Sequence, residues 1–359
     1  MNNLKQPRWK KVEYPRSRII KAGKTIKDNK ATSYEKEEAL KVIDNWRAAH
    51  AYPLQVIYMH LRRMVPSGSS IIVAQRLKRL KSIIEKLERE PSMSLWTMQD
   101  LGGCRFIVDS VEEVYKYYEK YKKSRIRHKY IKTYDYIKQP KESGYRSLHV
   151  VYEFYSDKNE DYNKNMLIEI QFRTHLQHLW ATAVETMGLF TNVAIKSGCG
   201  SEDVKRFFVL ISSLFAFQEE QPLVPNTSNW MDEVIKEIKE IDEKNKFLDL
   251  LTGIRVATKF EEKKPRKAKE GYCILKLDYH NNSDKKLSIA SYSISDFEQA
   301  NDIYNHLEKL NDKKYSDIVM VRVSSFSSLR AAYPNYFTDI SEFVVTVKKY
   351  IKRYEEIIS

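Results

Sequence analysis

The chain of 359 residues predicts an α/β fold: a mixed sheet flanked by helices, followed by a small C-terminal β-β-α-β-α module. Three observations carry that expectation. Apolar residues recur at helical spacing in some segments, as at Ala39, Leu40, Ile43, Trp46 and Ala49. Short runs of strand character alternate with them, notably Gly103–Asp109 and Leu167–Arg173. A polar stretch, Glu261 to Lys269, interrupts the pattern before a second set of strands and helices begins. Strands mixed with helices in this order suit a sheet with helices packed on it.

In chain order, residues 35–64 read as a helix, interrupted or restarted at Tyr52-Pro53 because proline disfavours helix at the residue before it. A second helix runs from Ile71 to Arg89 and ends before Pro91. Next come a strand (Gly103–Asp109), a helix (Val111–Tyr121), strands at Arg146–Phe154 and Leu167–Arg173, and a helix (Leu176–Leu189). Residues 203–218 and 230–251 look helical, separated by a loop containing Pro222 and Pro225. Beyond the polar stretch follow a strand (Tyr272–Tyr279), a turn at Asn281–Asp284, a strand (Leu287–Ile294), a helix (Asp296–Leu310) and a strand (Ile318–Val323). Asn282-Ser283 is plausible hairpin chemistry. A last amphipathic helix sets Phe343, Val344, Val347, Tyr350, Ile351 and Tyr354 on one side. The expected divisions are residues 1–218, a helical linker at 219–265 and a C-terminal module at 266–359.

Composition narrows the function classes. No apolar run approaches the roughly 20 residues that span a bilayer. Met1 to Lys30 is basic but lacks the apolar stretch of a secretory signal. Cys104, Cys199 and Cys273 lie far apart without a CxxC pair, which argues against a disulfide framework or a structural zinc site. A cytoplasmic protein without zinc is expected. Net charge is +14. Residues 1–218 hold 39 Lys and Arg against 24 Asp and Glu, so the whole excess sits with the first part. Such an excess suits a polyanionic partner, RNA or nucleotide phosphates.

The chemistry-bearing residues are concentrated between 76 and 185. Alternation on Leu167–Arg173 puts Leu167, Glu169, Gln171 and Arg173 on one face and Ile168, Ile170 and Phe172 on the other. A carboxylate, an amide and a guanidinium on one face should line a polar cleft. Asp100, just before the strand at 103–109, is placed to join it. Two carboxylates converging on a triphosphate would hold Mg²⁺, and one of them is also a candidate base for an attacking hydroxyl. Arg76, Lys78, Ser82 and Lys86 recur at helical spacing, a basic face that suits phosphates, although a solvated face carries the same pattern. Gly144-Tyr145 sets an aromatic beside a flexible residue, and a tyrosine at a cleft edge can stack on a base. His149 reads as a hydrogen-bonder or a catalyst. The dense cationic run of Lys122, Lys123, Arg125, Arg127 and Lys129 suits an extended acceptor such as an RNA backbone.

Together these residues resemble the RelA/SpoT-type synthetase domain, over about residues 70–190. The resemblance implies a nucleotidyltransferase-like domain in which ATP donates its β,γ-pyrophosphate to a ribose 3′-hydroxyl. It implies that Arg76 stacks on adenine and that Lys78, Ser82, Lys86 and Arg105 hold phosphates. Asp100 would bind Mg²⁺, Glu169 would bind it or activate the hydroxyl, and Tyr145 would stack on the acceptor base. Lys141, His149, Gln171 and Arg173 would support them. Two departures fall in the guanine-nucleotide site: Tyr134, where a charged residue is usual, and Ser143, where Asn often precedes Gly-Tyr. Both weigh against GDP or GTP as acceptor.

The Asn45-Trp46-Arg47 and Gln177–Glu185 segments look like those of toxic small alarmone synthetases, which modify the 3′ CCA end of tRNA. The C-terminal module, with Tyr333-Pro334-Asn335-Tyr336, resembles the fused toxin–antitoxin branch of CapRel-type phage-defence proteins. That likeness implies a pseudo-zinc-finger antitoxin whose Tyr333 and Tyr336 cover the adenine site until a phage capsid protein binds. The expected function is therefore a self-inhibited tRNA pyrophosphokinase using ATP and Mg²⁺, with tRNA rather than DNA or membrane as its partner. A synthetase of (p)ppGpp or (p)ppApp, or a non-catalytic RNA-binding protein, are the alternatives.

Overall fold

The computed structural model describes residues 9–196, 201–256, 258–260, 271–278, 285–310, 316–323, 329, 331–333 and 340–358. It opens with three helices, α1 (Arg16–Thr25), α2 (Ser33–Ala49) and α3 (Ala51–Met64). A capping box starts α2: Thr32 Oγ1 accepts from the Glu35 backbone N–H, and Glu35 accepts from the Thr32 N–H at 2.8 Å. The break from α2 to α3 falls at His50, and Pro53 then sits in the first turn of α3, where its missing N–H costs nothing. Chain reversal brings β1 (Ile72–Leu77), α4 (Leu80–Arg89), β2 (Gly102–Val108), α5 (Val111–Lys122), β3 (Lys129–Asp135), β4 (Leu148–Glu153) and β5 (Leu167–Thr174). Helices α6 (His175–Lys196), α7 (Ser201–Gln218), α8 (Met231–Asn245) and α9 (Phe247–Val256) follow. The remaining elements are β6 (Thr258–Phe260), β7 (Gly271–Asp278), β8 (Lys285–Ser293), α10 (Phe297–Leu310), β9 (Ser316–Val323) and α11 (Ser341–Ile358).

The described strands form a single mixed sheet in the order β3-β4-β5-β2-β1-β9-β7-β8-β6. The neighbours β2 and β5 run parallel, as do β6 and β8, and the other pairs are antiparallel. One face carries the main core, where α3, α5 and α10 pack Leu54, Ile57, Val114, Tyr117 and Phe297 onto Phe106, Ile168, Ile170 and Phe172. Each such side chain contributes about 1.5–3 kcal/mol through burial. A second core joins α6, α7, α8 and α9 to α11 through Phe207, Ile211, Phe247 and Phe343.

The C-terminal strands enter the sheet through a narrow seam. Among the described residues strand β9 meets β1 at two register pairs, Gln75↔Arg322 and Arg76↔Val321, whereas it runs beside β7 from Gly271↔Val323 to Asp278↔Ser316. Side chains reinforce the seam. Arg79 grips both oxygens of Asp317. The buried Arg47 guanidinium donates to Glu308 Oε2 and to Asn305 Oδ1, both at 2.5 Å. Arg322, 1% exposed, lies over the rings of Tyr58 and Tyr272.

Four expectations need correction. Ile71–Arg89 is not one helix, because β1 occupies residues 72–77 and α4 begins only at Leu80. Arg76 therefore stands on a strand, and the proposed helical face of Arg76, Lys78, Ser82 and Lys86 does not exist as such. The helix expected over 230–251 is broken at Lys246, whose φ of 57° is left-handed. The segment Lys129–Asp135, to which the sequence reading assigns no element, is the edge strand β3. The expected turn at 281–284 and the polar boundary at 261–269 lie outside the described residues.

Candidate active site

Register dictates which side chains share the polar face of the sheet. Tyr134 on β3 pairs with His149 on β4, His149 with Gln171 on β5, and Gln171 with Arg105 on β2. One row along, Glu169 pairs with Gly103, which pairs with Arg76 on β1. Alternation puts Glu169, Gln171 and Arg173 together on this face while Ile168, Ile170 and Phe172 enter the core opposite, as the sequence pattern predicts.

These residues are joined by a continuous polar chain. Tyr145 Oη lies 2.7 Å from His149 Nε2, and His149 Nδ1 donates to Glu169 Oε1 at 2.8 Å. Gln171 Nε2 donates to Glu169 Oε2 at 2.6 Å, and Arg173 Nη2 donates to Gln171 Oε1 at 2.6 Å. Burial works to lower the His149 pKa, but the Tyr145 oxygen and the Glu169 carboxylate push it up to about 9. Burial likewise works to raise Glu169, and His149 outweighs it, so the carboxyl stays below its ordinary value.

Asp100 is held from the other side. Lys78 Nζ donates to its Oδ2 at 2.8 Å and Lys86 Nζ to its Oδ1 at 3.1 Å. Burial opposes ionisation, yet the two ammonium groups keep the Asp100 carboxyl below its usual range. Asp100 sits on the turn entering β2, and the backbone N–H of Lys78 donates to the Leu101 carbonyl at 2.8 Å, which ties that turn to the end of β1. Both carboxylates thus remain anionic within one cleft.

The cleft has two halves. Asp100, Glu169 and Gln171 border both. The first half adds Arg76, Lys78, Ser82 and Arg105 and encloses only about 60 Å³. The second adds Lys86, Lys141, Tyr145 and His149 and encloses about 610 Å³. What constricts the first half is Tyr333. Its ring lies 5.4 Å from the Arg105 guanidinium, its hydroxyl donates to the Gln75 carbonyl at 3.2 Å, and it is 1% exposed. Arg105 Nη1 donates to the Ala332 carbonyl at 2.8 Å, and His178 Nε2 lies 2.9 Å from the Ala331 carbonyl. Burial and the neighbouring Arg173 and Arg76 bring the Arg105 pKa down to about 10. Tyr336 lies outside the described residues.

Gly144 shapes the second half. Its φ of 88° is one that L side chains rarely adopt, and a Cβ there would meet Trp180 Cζ2 at 2.8 Å. The turn therefore tucks under Trp180 and presents Tyr145, whose ring lies 6.4 Å from that indole. The five cations Lys122, Lys123, Arg125, Arg127 and Lys129 are not brought into the cleft. They lie exposed near the start of β3, where Arg127 pairs with Asp157, Lys123 with Glu119 and Lys129 with Glu153. Sequence reasoning missed Gln99 and Tyr136 as lining residues, while Tyr134 and Ser143, noted as departures from the family pattern, do line the wider half. The signal for Tyr136 was the alternation Lys132, Tyr134, Tyr136 on a strand that was itself overlooked.

A magnesium ion would find Asp100 and Glu169 as its carboxylates. Among the described residues no group of three or more His, Cys, Asp or Glu forms a metal cluster. Mg²⁺ is commonly held by one or two carboxylates together with substrate phosphates, so the donor set fits an ion that arrives with a nucleotide.

Residues 75–189 match the family described as the region found in RelA / SpoT proteins. The GTP pyrophosphokinase YjbM of Bacillus subtilis is 36% identical over 112 residues, covering 31% of this chain and 52% of that protein. YwaC, a second GTP pyrophosphokinase of Bacillus subtilis, is 31% identical over 115 residues, covering 30% of this chain and 52% of its own length. The chain thus spans about half the length of these curated relatives. Among solved structures, the small alarmone synthetase 1 from Bacillus subtilis is 29% identical and covers 57% of this chain and 99% of that one. Its TM-score is 0.39. The polar face, both carboxylates and every residue lining the wider half fall inside the matched span: residues 75–189 of this chain match the RelA/SpoT-type domain.

Proposed function

We propose that this chain is an ATP-dependent pyrophosphokinase that transfers pyrophosphate to the 3′-hydroxyl at the CCA end of tRNA. One observation carries the catalytic part: Asp100 and Glu169, both kept ionised, border the two halves of a single cleft. The smaller half receives ATP, with Arg76, Lys78, Ser82 and Arg105 around its adenine and phosphates. The wider half receives the acceptor, with Tyr145 against the terminal base. Glu169 takes the proton of the 3′-hydroxyl as its oxygen bonds to the β-phosphorus of ATP, the bond from that phosphorus to the α,β-bridging oxygen breaks, and AMP leaves. Bound Mg²⁺, held by Asp100 and Glu169, supplies neutralisation of phosphate charge. His149, held protonated by its place between Tyr145 and Glu169, orients the carboxylate. Lys78 and Lys86 keep Asp100 anionic and stand ready to turn toward phosphates.

The tRNA assignment rests on the positive charge of residues 1–218, on the width of the acceptor half and on Tyr134 and Ser143 in place of residues usual for guanine nucleotides. The regulatory part rests on Tyr333: a buried ring against Arg105 occupies the ATP half, so that half opens only when residues 331–333 withdraw. A phage capsid protein that binds the C-terminal module better in its withdrawn state would release the enzyme by shifting that equilibrium. A second reading is favoured by the relatives named GTP pyrophosphokinases, namely a small alarmone synthetase acting on guanine nucleotides.

The deciding experiment gives the full chain and its Tyr333→Ala variant γ-labelled ATP, Mg²⁺, deacylated tRNA and GDP together. Label on tRNA, stronger in the variant, is the expected result. Label on GDP with none on tRNA overturns the tRNA assignment, and label on neither with either protein overturns the enzyme.

A further inference from the structure

We infer that Tyr134 and Tyr136 form a second base-binding subsite, which stacks the nucleotide preceding the reacting adenosine of a single-stranded RNA 3′ end. This rests on the reading of RNA as acceptor and adds to it a place for the penultimate base. Neither residue belongs to the set that holds the reacting groups.

The two rings are nearly parallel, 14° apart with centroids 5.9 Å from each other, an offset stack rather than a core packing of edges. Both line the wider half of the cleft. Tyr136 also touches the reaction end, since its ring centroid is 6.0 Å from that of Tyr145 and 5.4 Å from that of His149. Tyr134 stands one step outward along β3, anchored by its hydroxyl donating to Gln99 Oε1 at 3.0 Å. The platform is thus fixed at one edge while part of its surface stays accessible, for both tyrosines are only partly buried.

Cations are arranged around the same rings. Lys132 Nζ lies 4.6 Å from the Tyr134 ring centroid and Lys141 Nζ 4.4 Å from that of Tyr136. Both lysines are exposed. An ammonium over a ring face marks a place where a flat, polarisable group is welcome and where a phosphate would find a counter-charge once a base replaces the ammonium. Aromatic faces interleaved with lysines along one strand are the chemistry of single-stranded nucleic acid, because every base has a face to stack and every nucleotide a phosphate to pair. A lone nucleoside diphosphate acceptor has one base, which Tyr145 takes, and leaves the Tyr134–Tyr136 platform unused.

The test measures binding to the full chain by fluorescence anisotropy, using a short 5′-labelled RNA ending in 3′-ACCA and the same RNA with an abasic residue at the penultimate position. Since acceptor binding uses the wider half, it proceeds without activation. The intact RNA should bind about tenfold more tightly than the abasic one. Tyr136→Ala and Tyr134→Ala should each weaken the intact RNA severalfold and remove most of that difference, while Tyr136→Phe and Tyr134→Phe should retain it. Equal binding of intact and abasic RNA by the wild-type chain overturns the subsite, as does a tenfold difference that survives both alanine changes. GDP binding with no RNA binding overturns the RNA reading and the subsite together, whereas RNA binding indifferent to the abasic residue overturns the subsite alone.

Discussion

The two halves of the cleft share a sheet face and a pair of carboxylates, yet one encloses about 60 Å³ and the other about 610 Å³. The difference lies in what roofs them. The wider half is walled by residues between Lys86 and Gln171, among them the segment 134–149 that turns around Gly144 and returns along β4. The narrow half is closed by Tyr333, which bonds Gln75, while Arg105 and His178 bind the carbonyls of Ala332 and Ala331, and all three of these partners lie more than 150 residues away in the chain. The wider half is built wholly within the span that matches the RelA/SpoT family, whereas closure of the narrow half depends on residues 331–333 outside that span.

The comparison breaks most severely if the shared carboxylates are removed. Asp100→Asn or Glu169→Gln should lower transfer at least about a thousandfold in the labelled-ATP assay while RNA binding stays within about twofold. Transfer surviving either change would dissolve the common centre. Tyr333→Ala acts on the donor half alone. It should raise basal transfer about tenfold and tighten ATP binding, and its lost ring should cost about 3 kcal/mol in urea unfolding. Tyr333→Phe, which loses only the bond to Gln75, should cost about 1 kcal/mol and leave the donor half closed. Gly144→Ala acts on the acceptor half alone, forcing a positive φ and a contact with Trp180. It should destabilise by about 1–2 kcal/mol and weaken RNA binding without altering ATP binding.

A pH dependence is expected in the wider half. His149 has its pKa raised in the folded chain to about 9, above its ordinary 6.5. The stability it contributes is therefore complete below about pH 6.5 and is lost as pH rises through about 9. Relative to a His149→Gln variant, the wild-type chain should lose up to about 2 kcal/mol between pH 7 and pH 10, measured by denaturant unfolding across that range. Parallel pH profiles for the two proteins would show that the His149–Glu169 pair carries no such linkage.

Much of the acceptor half was legible in the sequence. The alternation in Leu167–Arg173 shows a buried face and a polar face, and Glu169, Gln171 and Arg173 do line up as that pattern requires. Asp100 could be placed because it precedes a strand that the sequence makes plain. What escaped was set by partners far along the chain. No sequence signal separates β1 from α4, because Arg79 at the N-cap makes no side-chain capping bond. Instead the first N–H of α4, that of Leu80, donates to Glu308 Oε1 at 3.0 Å, a cap supplied by α10. Without that partner in view, Ile71–Arg89 reads as one continuous basic helix. Strand β3 escaped for the opposite reason: it is a polar edge with no buried run, so no apolar alternation advertises it. Tyr136 was lost with it.

The thin seam between β1 and β9 has a consequence for how the donor half can be opened at all. Among the described residues, Gln75 and Arg76 of β1 pair with β9. Full withdrawal of β9 would lay bare this side of β1, an open strand edge in the middle of a sheet, which is a template for association with other chains. A conformational release that lifts Tyr333 and leaves Arg322 and Val321 in register avoids that hazard, and it frees the ATP half with the loss of few main-chain bonds. Opening by a local lift and opening by detachment would therefore differ in solubility: the first leaves the sheet paired, the second yields a chain inclined to aggregate.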